Sequence, residues 1–147
     1  MNAIRRALAV ALPVAAVLSF GVTPAQADVG IYCVDSDANC GTFYYNSGLT
    51  GSRTTFTGFR GTDGSIWDLA SYKFLSSGNG QGLSVKNNAA SFYNGSMQSA
   101  TIFFNSGFEG PCDTVAALTN VNRLANTYND NASLAFGRYV QNCHIFN

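Results

Sequence analysis

Few residues in this chain are equipped for chemistry. There is one histidine, His144, and it stands beside Cys143, the arrangement of a Cys/His nucleophile. Neither a second histidine nor an acidic orienter stands near it in sequence, so His144 is read as a surface histidine next to a bridged cysteine. Asp63 and Asp68 lie five positions apart, but nothing marks either as buried or shifted, and glycosidase chemistry needs two carboxyls set across a cleft. No enzyme is expected. Four cysteines remain: Cys33, Cys40, Cys112 and Cys143. Their spacings lack the C-x₂-C pairs of a zinc site. An even number in an exported chain reads as disulfides. Three pairings are open, and the sequence alone does not choose among them. The simplest joins Cys33 to Cys40 as a local loop and Cys112 to Cys143 as a tie on the C-terminus.

Export is read from the first 27 residues. Arg5 and Arg6 precede an apolar run from Ala7 to Phe20 that is too short to span a bilayer, and Ala25-Gln26-Ala27 is a small-x-small cleavage site. Residues 1–27 are therefore read as a secretory signal peptide and 28–147 as one secreted domain. No other stretch is apolar enough for a membrane.

The composition fits such a domain. The 147 residues carry Lys+Arg 8 and Asp+Glu 8, with 11% charged and 13% aromatic residues. A neutral balance without a basic stripe excludes nucleic acid, whose phosphates demand clustered Lys and Arg. High aromatic content and low charge exclude disorder.

The elements that must position any site alternate like short strands. Thr42-Phe43-Tyr44-Tyr45 runs into Asn46-Ser47-Gly48, a turn composition, and Thr54 to Thr57 reads as the returning strand. Ser65 to Ala70 is expected to make one or two helical turns, and Asp113 to Asn120 a short helix with Asp113 at its start. Val115, Leu118 and Val121 would then face the sheet.

Two patterns recur in order. Tyr44 to Gly51 and Phe103 to Gly110 both read aromatic, aromatic, Asn, Ser, Gly, apolar, x, Gly. Asn87-Asn88-Ala89-Ala90-Ser91 and Asn129-Asp130-Asn131-Ala132-Ser133 both read [ND][ND]-x-Ala-Ser. Two all-β units in one short chain imply a pseudo-two-fold sandwich. An immunoglobulin sandwich is set aside because Trp67 lies too far beyond Cys33 and Cys40.

Aromatic-x₄-aromatic-x-Gly followed by [ND][ND]-x-x-[ST] resembles the βγ-crystallin Greek key. Phe103, Phe108 and Gly110 fit fully; Tyr44, Leu49 and Gly51 fit with Leu49 in place of the second aromatic. The resemblance spans about Gly41 to Tyr139, with motif 1 at about 41–93 and motif 2 at about 100–139. It implies an all-β Greek-key sandwich of two pseudo-symmetric motifs. Together with the leader and the Cys33/Cys40 pair, it looks like the actinobacterial peptidase inhibitor I36 family, whose founding type inhibits thermolysin-class metalloproteinases.

That resemblance implies a secreted inhibitor of an extracellular metallo- or serine peptidase, acting as a monomer by occluding the cleft. The alternative is a secreted calcium-binding or structural module, with cell-wall or carbohydrate binding through Tyr44, Tyr45 or Trp67. The implied calcium ligands are Asn87, Asn88 and Ser91 with Asn129, Asp130 and Ser133. Both copies lack the usual second Ser, having Phe92 and Leu134 instead. With Asp130 the one carboxylate, binding should be weak, and each segment should face the other motif's hairpin. Candidate contact loops are Gly58 to Gly64, carrying Phe59 and Arg60, and Ser76 to Gly82, which is too Gly-rich to be stiff without support. No cysteine lies between Cys40 and Cys112 to frame either loop, so inhibitory residues cannot be carried over.

Overall fold

The computed structural model describes residues 39–59, 65–138 and 140–147. The signal segment 1–27, Cys33, Asp63, Tyr139 and the Arg60 to Gly64 part of the first candidate loop lie outside the described residues.

The repeat in the sequence becomes a repeat in space. In motif 1, β1 (Asn39–Asn46) turns back into β2 (Thr50–Phe59), followed by β3 (Ser65–Ile66), a 3₁₀ turn (Leu69–Ser71) and β4 (Ser91–Asn94). In motif 2, β5 (Ala100–Asn105) turns into β6 (Glu109–Val115), then β7 (Thr119–Val121) and β8 (Ser133–Phe136). The sheets run β2-β1-β4-β7 and β3-β8-β5-β6-β9, where β9 is His144–Phe146. Each motif thus gives its third strand to the other motif's sheet, as a pair of interlocked Greek keys does. The fold expected from the repeat is the fold observed.

The hairpins explain why both copies keep a second glycine. Gly51 and Gly110 sit at φ +79° and +81°, a conformation L-residues avoid. A Cβ there would also meet the amide of Asn46 or Asn105, at 3.0 and 2.8 Å. Leu49 and Phe108 occupy the same left-handed position, at φ 56° and 65°, so Leu49 stands in for the aromatic without changing the turn.

Between the sheets lies one apolar core containing Phe43, Phe56, Phe74, Phe92, Ile102, Val115, Leu134 and Phe136. Within it the Phe43 ring lies 4.7 Å from that of Phe92 and 5.9 Å from that of Phe56. Strand alternation sends Phe103, next to Ile102, to the opposite face. There it packs with Cys112 and Ala135 under Phe108, Val140 and Cys143. The Cys112–Cys143 disulfide, closing a separation of 31 residues, holds the C-terminal segment over this second cluster and lets β9 pair in parallel with β6. Cys40 is also disulfide-bonded.

Two local expectations are corrected. Residues Asp113 to Asn120 form no helix: Asp113 to Val115 complete β6 and Thr119 and Asn120 begin β7. Leu118 consequently lies 58% exposed at the turn, while Val115 and Val121 are buried. Asp113 is buried, and its carboxylate accepts hydrogen bonds from the N–H groups of Ala125, Asn126 and Thr127 and the Thr127 hydroxyl. It orders a loop through its acceptor oxygens and caps no helix. Likewise, Ser65 to Ala70 divides into β3 and the start of the 3₁₀ turn, whose N-cap Asp68 accepts from Ala70 N–H at 3.0 Å.

Candidate functional site

The two [ND][ND]-x-Ala-Ser segments occupy equivalent corners, and their serines have a clear task. Ser91 Oγ donates to the Asn46 carbonyl (2.6 Å) and accepts from Leu49 N–H (3.1 Å). Ser133 Oγ donates to the Asn105 carbonyl (2.7 Å) and accepts from Phe108 N–H (3.1 Å). Both serines are fully buried. Each serine therefore clamps the hairpin of its own motif, while Asn129 of the second segment lines a cleft with Asn46 and Ser47 of the first motif's hairpin. The motifs touch crosswise through other groups: Gly48 N–H donates to Asn122 O, and Gly107 N–H to Trp67 O.

The six residues implied as calcium ligands have different surroundings. The serine hydroxyls are spent on the hairpins. Asn87, Asn88 and Asn129 converge with Tyr45, Asn46, Ser47 and Tyr128 around an open cleft of about 320 Å³. Asp130 is exposed and does not line that cleft. Among the described residues no three His, Cys, Asp or Glu cluster as a metal site would. The donors that do converge are uncharged amides, a hydroxyl and phenols, a poor match to the carboxylate-rich shell calcium prefers.

The cleft is built by the two segments crossing. Asn87 N–H donates to Asn131 O, and Asn129 N–H to Ala89 O. The buried Asn131 amide accepts from Ala89 N–H and donates to Val85 O, locking the crossing. Asn87 and Asn129 both take the left-handed conformation, φ 61° and 56°, which Asn tolerates better than most residues. Arg123 lies over the Tyr128 ring at 4.4 Å.

At the second hairpin the corresponding place is filled. Lys86 Nζ donates to Ser106 Oγ at 2.8 Å and pairs with Asp68 at 3.0 Å. The Lys86 hydrogen bond and then the Ala70 N–H hold the Asp68 carboxyl below the usual aspartate range.

The remaining candidates fall in three groups. Cys143 is bonded to Cys112, so it makes no nucleophile with His144, which lies exposed with its ring against Phe146. Trp67 is 66% exposed, its ring edge-on to Phe108 at 5.5 Å, whereas Tyr45 packs edge-on to core Phe74. Of the first candidate loop, Gly58 and Phe59 belong to β2. The second is held firmly from residues far off in sequence. Ser52 N–H donates to Asn79 O and Arg53 N–H to Ser76 Oγ, while the Ser52 hydroxyl donates to Ser76 O. Gly80 packs under the Tyr45 ring, where any Cβ would collide. The support this loop lacked in sequence is therefore supplied by β2 and Tyr45, and its outer edge leaves Leu83 46% exposed.

Comparison with known proteins places the fold. A solved structure described as "Evolution of the eye lens beta-gamma-crystallin domain fold" superposes with a TM-score of 0.54 and 17% identity, over 76% of this chain and 96% of that one. The chain therefore has the βγ-crystallin domain fold. No family model and no curated protein matches it.

Proposed function

We propose that this protein is a secreted, non-catalytic inhibitor of extracellular peptidases, and that the exposed edge from Ser77 to Leu83 enters the peptidase cleft. The observation that carries this reading is the pinned loop. A loop held in one shape before binding loses little conformational freedom on binding, and that saving is what a cleft-occluding inhibitor requires. The disulfide tie at Cys112–Cys143 stiffens the body that presents it. The test is an inhibition titration against a thermolysin-like metallopeptidase and a serine peptidase, with wild type and Leu83→Asp. Inhibition of one class, weakened at least tenfold by Leu83→Asp, supports the reading. Full activity of both peptidases at excess protein overturns it.

The second reading is a calcium-binding or structural module. Three of the six implied ligands, Asn87, Asn88 and Asn129, do converge on one cleft, and this favours it. Its neutral donors make the expected affinity weak.

A further inference from the structure

The two hairpin corners are related by the pseudo-two-fold, yet they differ in charge. Around the second hairpin, Lys86 spans to Ser106 and Asp68, so an ammonium occupies the corner. The repeat puts Tyr128 where Lys86 stands, Ser47 where Ser106 stands, and Asn88 where Asp130 stands. The backbone pairing puts Arg123 where Asp68 stands, with its guanidinium over the Tyr128 ring, so the first corner has lost the lysine and remains open. Among the described residues, the side chains of Ser47, Asn87 and Asn129 make no hydrogen bond within the protein, so their donors and acceptors face the cleft or solvent. Ligand clefts of this small size, toward the low end of roughly 300–1,000 Å³, are usually lined by apolar groups with a few polar ones. Here amides and a hydroxyl predominate, with two tyrosine rings beside them.

We propose that the cleft between the first hairpin and the Asn87 and Asn129 segments is a binding site for a neutral glycan. A sugar ring offers alternating hydroxyl donors and acceptors, which amides satisfy in both directions. Its C–H groups can also contact the parts of Tyr45 and Tyr128 that line the cleft. The lining itself is uncharged, with Arg123 over the Tyr128 ring beside it, and the lack of a carboxylate disfavours tightly held cations. The inference is independent of the peptidase reading, and failure of either leaves the other intact.

The experiment is a printed array of neutral and acidic glycans, followed by calorimetric titration with the retained oligosaccharide, with and without a calcium chelator. The variant Asn87→Gly/Asn129→Gly removes both amides while glycine keeps the positive φ without strain. Asn129→Gly alone serves if the pair melts early. Ser106→Ala, at the second hairpin, is the control. The expected result is retention of neutral glycans, unaffected by chelator, unchanged in Ser106→Ala, and at least tenfold weaker in the glycine variants. Retention of no neutral glycan overturns the proposal, as does a preference for acidic ones. Chelator-sensitive binding, or glycine variants that bind like wild type, overturns it too.

Discussion

Replacing Ser91 or Ser133 by alanine removes one buried hydroxyl that serves two backbone groups. In Ser91→Ala, Leu49 N–H and the Asn46 carbonyl lose their partner; in Ser133→Ala, Phe108 N–H and the Asn105 carbonyl do. A buried polar group left unpaired costs about 1–3 kcal/mol. These hairpin tips are only partly covered, so water recovers some of that loss, and about 2 kcal/mol per variant is expected. At roughly 4 °C per kcal/mol for a domain of this size, each variant should melt about 8 °C below wild type. The pseudo-symmetry predicts similar losses at the two sites. It also predicts one difference. Asn46 lines the open cleft, so Ser91→Ala should weaken glycan retention while Ser133→Ala should not. Calorimetric melting with the bridges intact is the assay. Variants that melt with wild type would refute the clamp argument, and a large loss at one serine alone would refute the equivalence of the motifs.

Cys112→Ala/Cys143→Ala should lower stability by about 3.7 kcal/mol on the chain-entropy model for a 31-residue closure, read by denaturant titration. The Lys86–Asp68 tie gives a pH dependence of definite sign. The folded carboxyl lies below its unfolded value, so the contribution is present above the unfolded pKa, near 3.8, and is lost as pH falls through the folded one. Because Asp68 is 42% exposed, the effect should stay below about 1 kcal/mol. Melting curves of wild type and Asp68→Asn should therefore converge in acid and separate slightly above pH about 4. For the second functional reading, excess calcium should raise the melting temperature, because a ligand of the native state stabilises it. Since Asp130 stands off the cleft, Asp130→Ala should leave any such rise intact, whereas Asn129→Gly should reduce it.

The hairpins were legible because their cause is local. A left-handed turn needs its glycine within a few residues, so Gly51 and Gly110 announce themselves, and two ordered copies announce the pseudo-two-fold. The serines were legible as conspicuous residues but not as clamps, since each bond spans tens of residues. Loop stiffness failed for the same reason. Ser76 to Gly82 looks slack from its glycines and is pinned by Ser52, Arg53 and Tyr45. The Val115, Leu118, Val121 spacing suggested a helical face. In fact a turn at Leu118, with φ 55°, separates two strands in different sheets, and exchange of third strands between motifs leaves no trace in local periodicity. The open cleft was half legible. Its asparagines stood out, but that Lys86 fills one corner and Tyr128 leaves the other open depends on which segments cross.

The proposed function is tested most directly by a tight-binding titration of the disulfide-intact chain against a thermolysin-like peptidase. Residual activity should fall linearly to near zero at one-to-one stoichiometry, with the chain recovered uncleaved. Undiminished activity at molar excess against this peptidase and against a serine peptidase, or cleavage of the chain as an ordinary substrate, would contradict it.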